Sequence, residues 1–363
     1  MRILHTSDWH LGQHFIGRSR AAEHQAFLLW LVSQVKALNI DAIIVAGDIF
    51  DTATPPSYAR ELYNQFIVEL QSCQCQLVIL AGNHDAPAVL NESKALLQHL
   101  NTRVVANISD SLHEQLLVLH HRQQPAALLC AIPFLRARDL MQSQAGQSAE
   151  EKQLTLQEAI HQHYQALYRL ACARRDALQL PLPIIATGHL TTVGASASES
   201  VREIYVGALE AFPSSAFPPA DYIALGHIHR PQQVGGLEHI RYSGSPIPLS
   251  FDEAGQQKQV LLVDVDAIGL LGVTPLPVPR FQQLVSVKGD LATLAAAIRD
   301  AAALGTAEQP VWLEVLVQGD DYLSDLQARI QGMVAGLPVE VLRIRRERGN
   351  AVATLQAAAR ETL

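Results

Sequence analysis

The hydrophobic positions in the first two-thirds of the chain form short unbroken runs that are separated by longer amphipathic stretches. After a strand-like opening segment, these runs are Ala42–Ala46, Leu77–Ala81, Ile184–Ala186 and Tyr222–Leu225. Unbroken apolar runs are typical of strands that are buried on both faces. The amphipathic stretches predict helices over Ala21–Leu38, Ser57–Leu70 and Glu151–Leu178. This alternation predicts a layered α/β sandwich.

The pattern changes near Pro275–Pro279. Beyond this point it predicts, in order, a strand (Leu284–Val287), a helix (Leu291–Ala303), a strand (Val311–Val317), a helix (Tyr322–Val334) and a strand (Val339–Ile344). Such an order is typical of a small, separate α+β unit. We therefore predict a large domain over residues 1–275, a small one over 280–345 and a helix-permissive tail over 346–363.

The bulk composition narrows the class of protein. With 363 residues, of which 48% are hydrophobic and 17% charged, the chain has enough material for two domains. Met1–His5 runs directly into the first predicted strand, and the apolar runs are too short to span a bilayer, so we expect a cytoplasmic protein without a membrane partner. The four cysteines (Cys73, Cys75, Cys130 and Cys172) are expected to be reduced thiols.

Polar side chains follow each of five predicted strands directly. They lie in Asp8-Trp9-His10, Gly47-Asp48-Ile49-Phe50-Asp51, Gly82-Asn83-His84-Asp85, Gly188-His189 and Gly226-His227-Ile228-His229. The carboxyl ends of strands are where α/β sheets bind ligands. A glycine precedes the polar residue in four of the five segments, and we expect it to allow a sharp turn of the backbone.

Carboxylate, amide and imidazole groups without thiolate favour manganese, with magnesium or iron as further possibilities, over structural zinc. Two such cations, about 4 Å apart, clamp a displacement at phosphorus and activate water near neutral pH. We predict one Mn²⁺ held by Asp8, His10, Asp48 and His229, and a second held by Asp48, Asn83, His189 and His227. Asp48 would bridge the two ions. In Asp8-x-His10 and His227-x-His229, extended backbone would direct both side chains to the same side.

His84 follows a predicted ligand but is not needed as one. It is placed to hydrogen-bond a phosphate oxygen and to protonate the leaving oxygen, so we predict that it is catalytic. Trp9 and Phe50 lie between ligands and are predicted to be packing residues. The histidines outside these motifs, including His120-His121, are interpreted as surface or core residues.

Each of the five fragments has a plain structural explanation when it is taken alone. Asp-x-His pairs are common, Gly-Asn-His-Asp is compatible with an ordinary turn, and a single buried histidine is usually a core residue. Five fragments in this order, each at a strand end, favour the catalytic interpretation over the structural one.

These five motifs resemble those of the calcineurin-like metallophosphoesterase superfamily. Longer segments of the sequence restrict the resemblance to one family within this superfamily. They include Ile3–Gly12, Ala46–Thr52, Ile184–Thr191 and Tyr242–Phe251. Over almost its whole length the chain resembles the SbcD family of bacterial nuclease subunits. The resemblance implies a metallophosphoesterase β-sandwich flanked by helices, with a small C-terminal α+β domain that caps the site and helps to contact DNA.

The resemblance also implies a manganese-dependent 3′-to-5′ exonuclease and endonuclease that processes DNA ends and hairpins together with an SbcC-type ATPase. It implies a homodimer formed by helices of the nuclease domain, and a helical segment beyond the capping domain that binds the ATPase. Only a short part of such a segment precedes Leu363, so binding of the ATPase by this chain is left open. Some relatives carry histidine at the position of Asp51, and no catalytic role is assigned to this residue.

The net charge of −8 argues against a protein that binds DNA, because non-specific affinity comes from basic surface. Local basic clusters such as Arg343–Arg348, and the cations themselves, reduce this objection. Two alternatives stay open. One is a phosphodiesterase or phosphatase for small molecules on the same core, which fits the acidic charge better. The other is a non-catalytic DNA-end scaffold, which the presence of His84 disfavours.

Overall fold

The chain folds into two units in a computed structural model, which describes residues 1–109, 111–140, 148–201, 211–319 and 325–347. The first unit comprises Met1–Leu249 and Gln256–Pro279, and the second comprises Ser250–Gly255 and Arg280–Leu363. No change in composition signals that Ser250–Gly255 belongs with the second unit. Residue 275, where the predicted first domain ends, lies inside a strand that continues to Pro277.

Two six-stranded sheets form the first unit. In spatial order, the strands of the first sheet are β14 (Gly269–Pro277), β13 (Gln259–Asp266), β1 (Arg2–Thr6), β4 (Ala42–Ala46), β5 (Gln76–Leu80) and β6 (Thr102–Val105). Strands β1, β4, β5 and β6 are parallel, whereas β13 runs antiparallel to both β1 and β14. The parallel strands therefore present their carboxyl ends at the same edge.

The second sheet repeats this plan. In spatial order, its strands are β11 (Gln232–Val234), β12 (Leu237–Tyr242), β10 (Tyr222–Gly226), β9 (Ile184–His189), β8 (Gln124–Cys130) and β7 (Leu116–His121). Strands β8, β9, β10 and β12 are parallel, and the two edge strands are antiparallel to their neighbours. A small hairpin of β2 (His14–Phe15) and β3 (Arg18–Ser19) follows β1.

The core of the first unit lies between the two sheets. Ile44 and Val78 of the first sheet belong to one apolar cluster with Leu129 and Ala224 of the second. All five residues of β4 are buried, so both faces of that strand are covered. This explains the unbroken apolar runs, and the predicted β-sandwich is confirmed.

Six helices are described in the first unit. They are α1 (Ala21–Leu38), α2 (Ser57–Leu70), α3 (Pro87–Asn91), α4 (Lys94–Gln98), α5 (Ala137–Leu140) and α6 (Ala149–Leu178). Helix α6 begins with a capping box between Ser148 and Glu151, and its buried Tyr164 and Leu167 pack in one cluster with Ile223 of β10. Among the helices described, none combines the length and the apolar character that crossing a membrane would require.

The second unit contains β15 (Leu284–Gly289), α7 (Leu291–Ala302), β16 (Val311–Gln318), α8 (Leu326–Val334) and β17 (Val339–Glu347). The three strands are parallel with β16 at the centre, and the two helices bury Leu294, Ile298 and Ile330 against Leu313 and Val315. The order of elements is the one predicted. The first residues of the second predicted helix (322–324) and residues 348–363 of the predicted tail lie outside the described residues.

Candidate metal centre

The five motifs converge at one edge of the sandwich. Strands β1, β4 and β5 of the first sheet and β9 and β10 of the second bring their carboxyl ends there. The backbone segments that follow β1 and β4 remain hydrogen-bonded to each other after the two strands end. The amide of Asp8 donates to Gly47 O over 2.9 Å, and the amide of His10 donates to Asp48 O over 3.1 Å. The polar side chains are therefore carried by backbone that the sheet itself fixes.

The backbone at these positions differs from the expected extended form. Asp8, His10 and Asp48 have φ values of 55°, 47° and 52°, and His227 has a φ of 96°. Strands β1 and β10 end at Thr6 and Gly226, before the polar residues begin. The prediction that an alternating extended chain directs these side chains was therefore wrong. Left-handed backbone is uncommon in residues other than glycine, and such backbone clusters at functional sites.

The four glycines that precede the polar residues are Gly47, Gly82, Gly188 and Gly226. They were expected to allow sharp turns of the backbone, but the structure shows that their main contribution is the absence of a side chain. Among the four glycines, only Gly47 has a positive φ, of 96°. A Cβ atom at Gly82 would overlap Oδ1 of Asp48, and one at Gly226 would overlap Ala46 O. Close approach of the two backbones, more than bending, therefore requires glycine here.

Asp8, His10 and His229 form the first group of candidate ligands, and one ligand atom from each lies within 4.8 Å of the others. His229 Nε2 lies 4.0 Å from Asp8 Oδ1, and the rings of His10 and His229 meet edge to face at 5.1 Å. All three side chains are buried. Because ligand atoms at this spacing surround a common point, the group is suited to one divalent cation.

Asp48, His189 and His227 form the second group, and Asn83 lies beside it. His189 Nε2 lies 3.2 Å from Asp48 Oδ2 and 2.9 Å from Asn83 Oδ1. His227 Nδ1 lies 3.3 Å from the same amide oxygen. Asn83 is half-buried, whereas the other three residues are buried. The carboxylate and amide oxygens thus lie beside two imidazoles, a donor set suited to a divalent cation.

Asp48 also faces the first group, since its Oδ2 lies 3.6 Å from His10 Nε2. With His10 and His84 it forms a third group of possible ligand atoms. A carboxylate in this central position could be shared by two cations, one in each group. The structure therefore brings together all seven residues that were predicted to bind metal.

His84 is half-buried beside these residues. Its ring meets that of His10 edge to face at 4.6 Å, and its Nδ1 lies 2.7 Å from the carbonyl oxygen of Asp51. Since a carbonyl only accepts, Nδ1 donates to it, and this bond orients the opposite nitrogen, Nε2. The side chain is thus held next to the candidate ligands with a proton on Nδ1.

Two observations indicate that these residues are suited to bind divalent cations. Within the part of the chain that the structure describes, Nε2 of His10 and Nε2 of His227 are buried and have no hydrogen-bond partner. Buried polar atoms are otherwise almost always paired, so these two nitrogens are suited to a ligand that supplies the missing bond. Oxygen and imidazole donors without thiolate form the donor set expected for such ions.

The pKa shifts of the buried side chains also indicate a site for positive charge. Burial alone would lower the pKa of His189, but Asp48 and Asp8 outweigh it and raise the pKa to about 9. Burial would likewise raise the pKa of Asp48, yet the histidines around it hold the pKa well below its usual range. Buried carboxylates of this kind attract positive charge, either as protons on the histidines or as cations.

Asp85 is a supporting residue whose role the sequence reasoning missed. It is buried, and its carboxylate accepts hydrogen bonds from the amides of Ile49, Phe50 and Gly82 over 3.1, 2.9 and 2.8 Å. It therefore ties the loop after β4 to the loop after β5. The only available signal was its position within Gly82-Asn83-His84-Asp85.

A second support comes from the end of β12 and the residue that follows it. Tyr242 Oη donates to Leu190 O over 2.6 Å, and Ser243 Oγ lies 2.9 Å from Oγ of Ser7. Ser7 in turn bonds to the carboxylate of Asp8 over 2.5 Å. This segment therefore links the loop after β9 to the loop after β1. The sequence analysis named Tyr242–Phe251 as part of the family resemblance but predicted no function for it.

Trp9 and Phe50 are both buried. The ring of Trp9 packs edge to face on Phe27 and Phe66, and that of Phe50 lies against Tyr63. Their predicted role as packing residues is confirmed. The cysteines are free thiols, as expected.

Buried carboxylates and imidazoles from two sheets, meeting around a shared aspartate with a further histidine beside them, define a metal-dependent phosphoesterase. The family model described as calcineurin-like phosphoesterase matches residues 1–231. A second model, for the SbcD C-terminal region and described as Type 5 capsule protein repressor C-terminal domain, matches residues 280–363.

Curated relatives carry the comparison further. The SbcD subunit of the SbcCD nuclease of Escherichia coli (strain K12) is 54% identical over 100% of this chain and 89% of its own length. The protein of the same name from Rhodobacter capsulatus is 36% identical over 94% of this chain and 86% of its own length. The protein of that name from Bacillus subtilis (strain 168) is 34% identical over 73% of this chain and 66% of its own length. The chain belongs to the calcineurin-like phosphoesterase family and, within it, to the SbcD nuclease subunits.

Proposed function

We propose that this chain is a dinuclear manganese nuclease that cuts DNA, as a 3′-to-5′ exonuclease and as an endonuclease, at ends and hairpins. The observation that carries the proposal is the convergence of three groups of candidate ligand atoms, of which two share Asp48 and one contains His84. The proposed ligands of one ion are Asp8, His10, Asp48 and His229. Those of the other are Asp48, Asn83, His189 and His227.

His84 is the proposed general acid. Two bound divalent cations would polarise the phosphoryl group and strengthen water as a nucleophile near neutral pH. The leaving oxygen needs a proton, and His84 can supply it in the imidazolium form, in which Nδ1–H donates to the carbonyl of Asp51 and Nε2 carries the proton that is transferred.

DNA as the substrate is supported by the relatives, which are named as nucleases and match nearly the whole chain at up to 54% identity. The net charge of −8 instead favours a small phosphodiester as the substrate. A comparison of two substrates tests which is right. Hydrolysis of an end-labelled DNA duplex and of bis(p-nitrophenyl) phosphate would be measured at equal enzyme and manganese concentrations.

The proposal expects shortening of the duplex from its 3′ ends and cutting within a hairpin. Hydrolysis of the chromogenic diester without cutting of DNA would favour the small-molecule enzyme. DNA binding without hydrolysis of either substrate would favour the scaffold. Activity should be strong with manganese and weak with magnesium, because magnesium demands oxygen-rich octahedral geometry and gives up its waters reluctantly. Equal rates with both ions would contradict manganese as the cofactor.

The proposed partners are DNA, an SbcC-type ATPase and a second copy of this chain. The names of the relatives, which place each of them in an SbcCD nuclease, support the ATPase. Helices α1 and α2 support the homodimer, since Leu29 and Val68 are 52% and 61% exposed on them. Exposed apolar side chains on these helices are candidates for an association surface. With DNA as substrate, we expect the chain to act in the bacterial cytoplasm.

The dimer is tested by the mass of the protein in light scattering after gel filtration. Leu29→Lys should shift the mass from two chains towards one. Leu154→Lys is a matched control, because Leu154 is also exposed, at 66%, but lies on α6. A monomeric wild-type chain would contradict the dimer and leave the nuclease proposal intact.

A further inference from the structure

Three of the proposed ligand histidines share one arrangement, in which Nδ1 is engaged and Nε2 faces a carboxylate of the site. Nδ1 of His10 lies 3.1 Å from Asp51 Oδ1, and Nδ1 of His189 lies 2.9 Å from Ala46 O. Nδ1 of His229 lies 2.6 Å from the hydroxyl oxygen of Ser200. Ser200 belongs to none of the five motifs, and it comes from the loop that follows β9.

The main chain of His229 is firmly held. Its carbonyl oxygen accepts from the ammonium of Lys258 over 2.8 Å and from the amide of Ser245 over 3.1 Å. Lys258 and Ser245 are both buried. The orientation of the His229 ring, in contrast, depends on the partners of its side chain, and Ser200 is one of them.

The loop that carries Ser200 is fastened to side chains just beyond His229, chiefly that of Gln232 at the start of β11. The amide of Ser196 donates to Gln232 Oε1 over 2.9 Å, and Gln232 Nε2 donates to Ser196 O over 2.9 Å. Arg230 Nη1 also approaches Ser196 Oγ at 3.4 Å. These bonds keep the loop after β9 next to the loop after β10 without the help of the hydroxyl of Ser200.

We propose that Ser200 is a positioning residue for the metal centre: its hydroxyl accepts from Nδ1–H of His229 and so holds Nε2 towards Asp8. Nε2 of His229 lies 4.0 Å from Asp8 Oδ1. Groups that engage the far nitrogen of a ligand histidine fix its tautomer and ring orientation, and losing one typically lowers metal affinity about 10–100-fold. The inference rests on the proposed dinuclear site.

This assigns a function to the loop after β9. A chain segment outside the five motifs would complete the support of the ion held by Asp8, His10, Asp48 and His229. Ser200 contacts His229, which is a proposed ligand of this ion and not of the second one. Loss of the hydroxyl should therefore affect one ion and spare the other.

The test is a manganese titration of the full chain by calorimetry, with electron paramagnetic resonance on the same samples. Ser200→Ala and Ser200→Val remove the hydroxyl, whereas Ser200→Thr keeps it at nearly the volume of valine. Ser196→Ala is the matched control on the same loop. The wild type should bind two equivalents and give the spectrum of a spin-coupled pair.

Ser200→Ala and Ser200→Val should bind one of the two equivalents about 10–100-fold more weakly. At limiting manganese they should give the six-line spectrum of an isolated ion. Ser200→Thr and Ser196→Ala should behave as the wild type does. Unchanged affinities in both hydroxyl-free variants would overturn the proposal, and so would equal weakening in Ser196→Ala, which would assign the effect to the fold of the loop.

These readouts do not depend on DNA cleavage. A wild-type chain that binds two manganese ions but cuts no DNA would contradict the proposed function, while the position of His229 would still be tested by the titration. A wild-type chain that binds fewer than two ions would contradict both.

Discussion

The main-chain amide of His84 donates to Oδ1 of Asp48 over 2.9 Å. The proposed general acid and the proposed bridging carboxylate are therefore held by one direct bond, although they follow different strands. The bond joins the backbone of His84, not its ring, to Asp48. Removing the imidazole should therefore leave the carboxylate in place.

His84→Ala should keep both manganese ions and lose most of its turnover. General acid catalysis typically contributes about 10²–10⁴-fold, so a loss of this size in kcat is expected. Calorimetric titration with manganese and a nuclease assay on the same preparation check it. His99→Ala, an exposed histidine after α4, is the control and should be unaffected.

Asp48→Ala should behave differently from His84→Ala, because it removes the proposed ligand of both ions. It should bind less than two equivalents and show no cleavage. If His84→Ala bound only one equivalent, His84 would itself be a ligand and its assignment as the acid would be wrong.

Manganese affinity should rise as the pH increases from 7 to 9. Asp48 and Asp8 raise the pKa of His189 to about 9, so at pH 7 a proton occupies the ring and must leave before a cation binds. The protonated state is lost only as the pH rises through this raised value. The apparent affinity should therefore increase about 10²-fold over this interval, with protons released on binding.

Titrations in two buffers of different ionisation enthalpy, repeated at several pH values, measure both effects. A pH-independent affinity with no proton release would mean that His189 is neutral before the ion binds.

Asp85→Ala should destabilise the first unit. The change leaves the buried amides of Ile49, Phe50 and Gly82 without their acceptor, at a cost of about 3–5 kcal/mol in the free energy of unfolding. Urea unfolding in the presence of a chelator measures it. Asp85→Asn keeps one acceptor oxygen and should lose less.

Asp176→Ala, at an exposed position of α6, is the control for this measurement and should change the free energy of unfolding by less than about 0.5 kcal/mol. Equal stability of Asp85→Ala and the wild type would show that water replaces the carboxylate without loss.

DNA binding by the isolated chain should be weak and should depend little on salt. A net charge of −8 provides no general attraction, and each neutralised phosphate adds about 0.9 to the slope of log affinity against log salt. Few local contacts therefore give a shallow slope, which fluorescence anisotropy across a salt series measures.

Addition of an SbcC-type ATPase with ATP should raise both the affinity and the rate of cutting on duplex ends. Tight binding by the chain alone, with a steep slope, would instead reveal a basic face that the net charge conceals.

The element pattern was predictable because burial on both faces leaves a direct trace in the sequence. Helices α1 and α2 have the bounds that the amphipathic pattern predicted, Ala21–Leu38 and Ser57–Leu70. Strand β9 was predicted too short, since it continues from Ala186 through Thr187 and Gly188 to His189. Its last residues do not form an apolar run, so only the pairing with β10 shows that they are strand.

The sequence by itself determined the kind of chemistry and the residues proposed to perform it, because five strand ends with Asp, Asn and His can be recognised from local pattern alone. Only the tertiary structure decided how those side chains are directed. Left-handed backbone at Asp8, His10 and Asp48 is imposed by neighbouring strands and cannot be inferred from an Asp-x-His spacing. The partners of the ring nitrogens were equally hidden, because Ser200 and His229 meet across 29 residues of chain. The two loops follow β9 and β10, which are neighbours in the second sheet, and no local pattern shows that these two strands lie side by side.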